Sequence, residues 1–285
     1  MIKKIVLLLL FFSFCGISAS DRSPAEFYVE STHKDDFSAK TDWTNLYFHA
    51  SYSEEIKISR QDNFIEKPNS LNSQMEQKIR QEIFEKVIKI SIDNEMRIED
   101  LIDENPLFKK LFTRLVFSSK VILPSSQTEK KMTIYARIDF KEKENILDLI
   151  LSSRYYIDKK ELKPIESSYQ PSSYEKLIIE ARGLQIKPSF FPKIYTITPE
   201  NKKILIYSLA YSDLKLVRKN GYVQFYKDLD KSEFENKKNY YCSAYQSESS
   251  KKTDIVINYN DYIKFFSTPL SLKNLAEGNL IILID

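Results

Sequence analysis

The stretch LIIEARGLQIKPSFFPKIY, Leu177–Tyr195, decides the fold, because a pattern typical of a buried strand stops abruptly at an arginine and a glycine. The whole chain of 285 residues contains only four glycines, so a glycine at a strand exit is informative. Glycine takes positive φ values at no steric cost, and it often marks a bulge or turn where a Cβ would clash. The sequence therefore predicts a positive φ at Gly183, and a chain that turns there.

The segment after this glycine is predicted to be an arm outside the sheet. Pro188 and Pro192 cannot donate to a ladder, so Gln185–Pro192 is expected to cross the sheet as an ordered extended segment. Arg182 has two possible roles: it can tie the arm down through hydrogen bonds to backbone carbonyls, or it can bind an anionic ligand. The structural role is favoured, because one arginine without further convergent polar groups is weak support for a ligand site.

Further toward the C-terminus the pattern is rich in strands. The segment NLIILID, 279–285, is apolar enough that Leu280–Ile284 is predicted to be a buried strand that the fold needs. A TPEN turn joins two of the other strands, and a polar segment, 228–254, precedes the last strand-helix-strand unit. Predicted strands are 177–181, 193–198, 203–208, 222–226, DIVINY and the terminal one, with a short helix in NDYIKFF.

Toward the N-terminus the pattern changes to helices. Ser73 and Glu76 are placed as a capping box before one buried stripe, and a second helix is predicted to begin at Pro106, a favoured first position. The strictly alternating MTIYARIDF, 132–140, predicts a half-buried strand, as does the aromatic cluster Trp43–Tyr52. The first stripe is Met75, Ile79, Ile83, Val87 and Ile90; the second is Leu107, Phe108, Leu111, Phe112 and Leu115; a short helix covers Glu144–Leu151.

These patterns predict an α+β fold, in which mixed sheets pack with a few amphipathic helices and the C-terminal strand is buried. Composition shifts divide the chain into an irregular strand-bearing segment, 21–70, a helix-helix-strand module, 71–160, and a β-rich module, 175–285. A polar, proline-bearing linker or loop, 161–174, separates the two modules. The two modules can still pack as one unit.

The first twenty residues have the pattern of a secretory signal peptide. Two lysines precede a short apolar run, and small residues predict cleavage near Ala19 or Ser20 and a periplasmic protein. Cys15 leaves a lipoprotein as the alternative, although Phe14 is a poor neighbour for lipidation. Removal of residues 1–20 leaves 41 basic residues against 40 acidic ones, which argues against a nucleic-acid partner. No membrane span is expected in the mature chain.

The sequence offers few residues or motifs that are typical of catalytic sites. The histidines are His33 and His49, the remaining cysteine is Cys242 among aromatics, and no metal-ligand spacing or glycine-rich nucleotide motif occurs. Acid pairs at 99–100 and 103–104 are more typical of a solvated helix face than of a glycosidase. The expectation is a protein that is not an enzyme, with no catalytic residues, metal or cofactor.

The opening stretch also carries a resemblance. Ala181-Arg182-Gly183-Leu184, Lys187-Pro188 and Pro192-Lys193-Ile194 followed by a hairpin resemble the C-terminal signature of FlgT-like and FlgP-like bacterial envelope proteins. The upstream IEDLIDENP and MTIYARIDF, and the terminal NLIILID, are similar in order and kind, so the likeness covers Ser73–Asp285.

This resemblance implies an exported, non-enzymatic envelope protein, a structural or assembly factor of the periplasmic flagellar apparatus. Its partners would be envelope or flagellar-motor proteins. The alternative is a periplasmic module that binds a glycan or peptide through the arm, with Arg182 and Lys193 as binding residues, and a hydrolase is the least favoured class.

Overall fold

A computed structural model describes residues 26–27, 29–34, 36–55, 66–122, 131–141, 144–153, 158–166, 172–248 and 251–285. The predicted leader, with Cys15 and the cleavage site near Ala19, lies outside the described residues. Within those ranges the fold is α+β, as predicted, with eight α-helices and two sheets. The strands in chain order are β1 (Glu26–Phe27), β2 (Val29–Lys34), β3 (Phe37–Asp42), β4 (Tyr47–Glu55), β5 (Val121–Ile122), β6 (Lys131–Asp139), β7 (Lys176–Glu180), β8 (Ile194–Ile197), β9 (Lys203–Tyr207), β10 (Gln224–Asp228), β11 (Asn239–Glu248), β12 (Asp254–Ile257) and β13 (Leu280–Leu283). The helices are α1 (Glu66–Val87), α2 (Ile98–Glu104), α3 (Pro106–Phe117), α4 (Ile146–Ser153), α5 (Leu214–Asn220), α6 (Lys231–Glu235), α7 (Tyr259–Phe265) and α8 (Pro269–Ala276), with one 3₁₀ turn at Leu209–Tyr211.

The first sheet is antiparallel, in the order β2-β3-β4-β6-β5, and α1 packs across β4 and β6. The predicted stripe of α1 is confirmed over its first four members, Met75, Ile79, Ile83 and Val87, which are all fully buried. Ile90 lies beyond the end of the helix and is half-buried. The capping-box prediction is wrong, because α1 begins at Glu66 and residues 73 and 76 lie inside the helix.

Helix α3 begins at Pro106, as predicted, and the Asn105 side chain caps it by accepting the Phe108 N–H at 3.0 Å. The predicted stripe is partly wrong. Phe108 and Phe112 are buried, whereas Leu107 is 60% and Leu111 38% exposed. A spacing of four residues keeps positions 108, 112 and 116 on one face, and the leucines at 107 and 111 lie about 100° to the side of it.

The predicted strand Trp43–Tyr52 begins later than expected, because residues 43–46 form the turn that joins β3 to β4. Asp42 accepts the Asn45 N–H at 2.7 Å, and Leu46 takes a φ of 61°. Trp43 therefore lies in a turn, buried, instead of on a strand. The hairpin of β2 and β3 was not predicted. Strand β11 was not predicted either, and it lies within the segment interpreted as polar, 228–254.

The second sheet is mixed, in the order β1-β10-β13-β7-β11-β12-β8-β9. The terminal strand β13 is buried, as predicted, and it lies inside the sheet with parallel neighbours on both sides, β10 and β7. The predicted TPEN turn closes the β8–β9 hairpin, where Asn201 donates its N–H to Thr198 O at 2.8 Å.

The arm lies between the two sheets instead of over one of them. Phe190 and Phe191 are buried, and their N–H groups donate to Ser91 O (3.1 Å) and Ile92 O (2.8 Å) of the loop after α1. The Phe190 ring lies 5.4 Å from the Trp43 ring, which also contacts Phe225 of β10 at 6.0 Å. One hydrophobic core therefore joins both sheets through the arm.

Candidate functional site

The positive φ predicted at Gly183 is confirmed, and the steric clash predicted there is not. Gly183 has a φ of +83°, and its N–H donates to Asp285 Oδ2 at 2.7 Å, which ties the exit of β7 to the second residue after β13. The predicted clash is wrong, because a Cβ placed here would meet no atom within 4 Å. The glycine is required by its backbone conformation, not by a lack of space.

Arg182 is engaged by neighbouring acids and by strand β10. Its guanidinium forms a forked pair with Glu180, with Nε donating at 2.8 Å, and lies 3.7 Å from Asp228. It also donates to Lys227 O at 3.3 Å, so it ties β7 to β10 and not to the arm. The hydrogen bond from Arg182 lowers the pKa of Glu180 to about 2, and Tyr241 adds a further donor at 2.6 Å. This arrangement supports the structural role of Arg182.

Lys193 does not converge with Arg182. Its ammonium pairs with Glu95 at 2.7 Å, and its N–H donates to Asp254 Oδ1 at 3.0 Å. Strands β11 and β12 lie between β7 and β8, which places the two residues about 14 Å apart across the sheet at the usual strand spacing. The structure therefore does not bring together the two residues predicted to bind a ligand.

Lys187 and Pro188 of the same motif line an open cleft. The cleft has a volume of about 560 Å³ and lies where the inner face of β2 and β3, the end of α1 and the arm meet. We call it the junction cleft. Its walls are Glu30, Ser31, Thr32, Ala39, Thr41, Trp43, Phe48, Lys86, Lys89, Ile90, Ser91, Arg97, Lys187 and Pro188.

The charge of the junction cleft is predominantly positive. Lys86, Lys89, Arg97 and Lys187 line it, against one carboxylate, Glu30. Glu30 accepts the Trp43 indole N–H at 2.9 Å, so part of its hydrogen-bonding capacity is already used.

Two of the four cations share an acid outside the cleft. Lys89 and Arg97 both pair with Glu99, and the hydrogen bond from Lys89 is the main reason that the pKa of Glu99 lies below its usual value. Among the described residues, Lys86 and Lys187 have no carboxylate within salt-bridge distance. Lys86, in the last turn of α1, also faces the negative end of the helix dipole.

A second cleft, of about 760 Å³, lies between residues 158–166 and α8. Its charged walls are mixed, with Lys159, Lys160 and Lys273 opposite Glu161, Asp213 and Glu277. This balance of charges favours neither an anionic nor a cationic ligand. The junction cleft is therefore the better candidate site.

The residues considered for catalysis are separated. Cys242 is buried, and burial raises the pKa of its thiol well above the usual value. His49 stacks on Tyr135 with ring centroids 5.9 Å apart, and burial lowers its pKa. His33 lies on β2, with its side chain outside the described part of the structure.

The acidic pairs have local roles or lie in solvent. Asp100 accepts the Arg97 N–H at 2.7 Å at the start of α2, and residues 103 and 104 are exposed. In the ranges that the structure describes, no three His, Cys, Asp or Glu side chains are grouped closely enough to hold a metal ion.

The sequence motif includes Lys187 and Pro188 as structural residues only, and no sequence pattern indicated the cleft. Thr32, Lys86 and Arg97 come from separate segments, none of which has a motif of its own. The available signal was an excess of lysine near the predicted end of α1, which is equally typical of an ordinary helix C-terminus.

Comparisons with known proteins concern the β-rich module. Residues 176–285, from the start of β7 through β13, match the family model described as the second domain of Treponema pallidum Tp0624. No curated protein matches the chain. In the described ranges, none of the helices combines the length and the apolar character needed to cross a bilayer. The chain is thus similar, over its last 110 residues, to one domain of a treponemal protein.

Proposed function

We propose that this protein is an exported, non-enzymatic component of the bacterial cell envelope that acts as an assembly factor by binding a partner, within the periplasmic flagellar apparatus. The observation that carries the proposal is the junction cleft, an open, charged concave surface where the first sheet, the end of α1 and the arm meet. Clefts at such junctions are common binding sites, because several segments supply polar groups to one concave surface.

Three sequence features support the location and the class. The leader pattern supports export, the near balance of charge supports a protein partner over a nucleic acid, and the resemblance to FlgT-like and FlgP-like proteins supports a flagellar setting. The match to the second domain of Treponema pallidum Tp0624 supports a bacterial protein and names neither a role nor a location.

A periplasmic module that binds a soluble glycan or peptide is the second candidate, and the same cleft favours it. The aromatic surface of β11 and α6 favours assembly instead. Phe234, Tyr241 and Tyr245 are each more than 40% exposed, and the first two rings lie 5.5 Å apart. Exposed aromatic side chains are enriched where proteins bind one another.

Complementation of a deletion strain tests the proposal. Loss of the gene is expected to alter motor structure by cryo-tomography, or motility, and the wild-type gene should restore both. Lys187→Glu should restore them poorly, because it reverses an exposed charge in the cleft, whereas Lys237→Glu, an exposed lysine outside the cleft, should restore them fully. A deletion strain that swims normally with an intact motor would contradict the flagellar role.

Pull-down from envelope fractions distinguishes the two candidates. An assembly factor should retain a protein partner that Lys187→Glu loses and Lys237→Glu keeps. A module for soluble ligands should retain none. In the same strain Cys242→Ser, His33→Ala and His49→Ala should each complement fully. Failure of any one of these proteins, folded and present at normal levels, would indicate chemistry that the proposal leaves out.

A further inference from the structure

We infer that the junction cleft binds an extended, carboxylate-rich segment of a partner protein, laid along the free edge of β2. This inference rests on the proposed function and specifies the chemistry of the partner. It combines two independent features of the cleft, the sign of its charges and the sheet edge in its wall.

The sign of the charges selects an acidic ligand. Lys187 of the arm and Lys86 at the end of α1 both line the cleft, and neither has an acidic partner among the described residues. Glu30, the carboxylate in the wall, is held by the indole of Trp43. A basic concave surface concentrates anions and speeds their association, so carboxylates along a bound segment would gain from both walls.

The sheet edge selects an extended main chain. Within the described residues β2 is the outermost strand of its sheet and pairs only with β3. Three consecutive residues of β2, Glu30, Ser31 and Thr32, line the cleft. Consecutive side chains point to opposite faces of a strand, so the lining includes the main-chain edge as well as one face.

An unpaired edge offers N–H and C=O groups to a further strand, a common mode of peptide recognition. Six residues of β2 span about 20 Å, enough to pair with a short segment of similar length. A glycan would use the charges but leave this row of backbone groups unpaired. The two features together therefore favour a peptide.

Trp43 makes the inference directly measurable. It is the single tryptophan of the chain and lies in the wall of the cleft, so its emission should report occupancy without a label. The probe is a blocked hexapeptide in which glutamate alternates with threonine, added to the mature protein. A saturable change in Trp43 emission is expected, and it should weaken as salt rises from about 0.05 to about 0.5 M because the attraction is screened.

Matched variants and peptides test each feature separately. Lys187→Glu should weaken binding about tenfold, and Lys237→Glu should leave it unchanged. The same peptide with glutamine in place of glutamate should bind more weakly, which tests charge. A version methylated at alternate amide nitrogens should also lose affinity, which tests main-chain pairing with β2.

Three outcomes would overturn the inference. They are the absence of a saturable change with the glutamate peptide, equal binding of the methylated and unmethylated peptides, and tighter binding of an oligogalacturonate, an acidic glycan. The complementation experiment separates this failure from a failure of the proposed function. If Lys187→Glu fails to complement while the peptide does not bind, the cleft is functional and only the assigned ligand class is wrong.

Discussion

Gly183 shows how a single residue specifies the exit of a strand. Its φ of +83° is a conformation that residues with a Cβ adopt at a cost, and no neighbouring atom opposes a side chain there. Gly183→Ala should therefore lower the free energy of unfolding by about 1 kcal/mol, from backbone strain alone. Urea denaturation, monitored by Trp43 fluorescence, measures this change in the free energy of unfolding.

Asparagine provides the matched control at this position, because it tolerates positive φ better than alanine. Gly183→Asn should therefore lose less stability than Gly183→Ala. Equal stability of all three proteins would mean that the local backbone relaxes freely and that the glycine is incidental.

Asp254 gives the fold a dependence on pH. Its carboxyl is 1% exposed at the start of β12 and accepts the Lys193 N–H, and burial raises its pKa from 3.8 to about 6. Its other neighbours are Thr253, which donates to it at 3.3 Å, and Asp93, whose charge raises the pKa further.

The direction of the pH dependence of stability follows from the raised pKa of Asp254. Between about pH 4 and pH 6 the unfolded chain has released this proton while the folded protein keeps it, so this residue's contribution to stability falls as pH rises and levels off above about pH 7. Asp254→Asn removes that loss and keeps an acceptor for Lys193. Relative to wild type, the variant should gain about 2–3 kcal/mol between about pH 4 and pH 7, measured by urea denaturation at each pH. A constant difference across this range would show that Asp254 titrates normally.

The candidate site was less predictable than the backbone, and its residues show why. Gly183 and Pro106 impose conformations through their own covalent structure, so each was placed correctly from the sequence. Arg182 and Lys193 were paired because they are near in sequence, but the strand order separates them by two strands. Lys86 and Lys187 meet at one cleft although 100 residues lie between them, and no local pattern encodes that proximity.

At the scale of elements, patterns with one buried face were predictable and edges were not. Helix α1 and strand β6 each bury one regular face, so their periodicity identified them. β11 was missed because its outer face carries polar and exposed aromatic residues, and the composition of the segment resembles a loop. The turn at 43–46 interrupts an aromatic run that otherwise favours a strand.

Strand β13 is the element on which the second sheet depends most. It pairs in parallel with β10 and β7, and all four of its side chains are buried. Deletion of Leu280–Asp285 would leave two open edges and an unfilled core, so no soluble protein is expected on expression. Deletion of Asp285 alone removes the acceptor of the Gly183 N–H and spares the strand, so this control should remain soluble. A soluble longer deletion with an unchanged melting profile would show that β13 is peripheral.

At the scale of the whole molecule, the arm makes two modules into one folding unit. Trp43 comes from the N-terminal segment, 21–70, Phe140 from the helix-helix-strand module, and Phe190 and Phe225 from the β-rich module. Their ring centroids lie 5.2–6.2 Å apart within this group. Large side chains from both sides of the predicted linker, 161–174, therefore pack in the same core.

A shared core of this kind predicts a single cooperative transition, because neither sheet can open without exposing the rings of the other. Trp43 fluorescence, which reports the junction, and far-UV circular dichroism, which reports both sheets, should give coincident urea curves. Phe190→Ala should shift both curves together and cost about 3 kcal/mol or more, since it leaves a cavity between Trp43 and Phe140.

Phe234→Ala, at a ring that is 41% exposed, is the matched control and should cost less than about 1 kcal/mol. If Phe190→Ala instead separates the two curves, so that Trp43 reports one midpoint and circular dichroism shows a second, the modules fold independently. The junction cleft would then open and close with the motion of the modules, and its affinity for a partner would depend on that equilibrium. Coincident curves in both variants would mean that the cleft is a fixed feature of the folded protein, with its basic walls held in place before a partner binds.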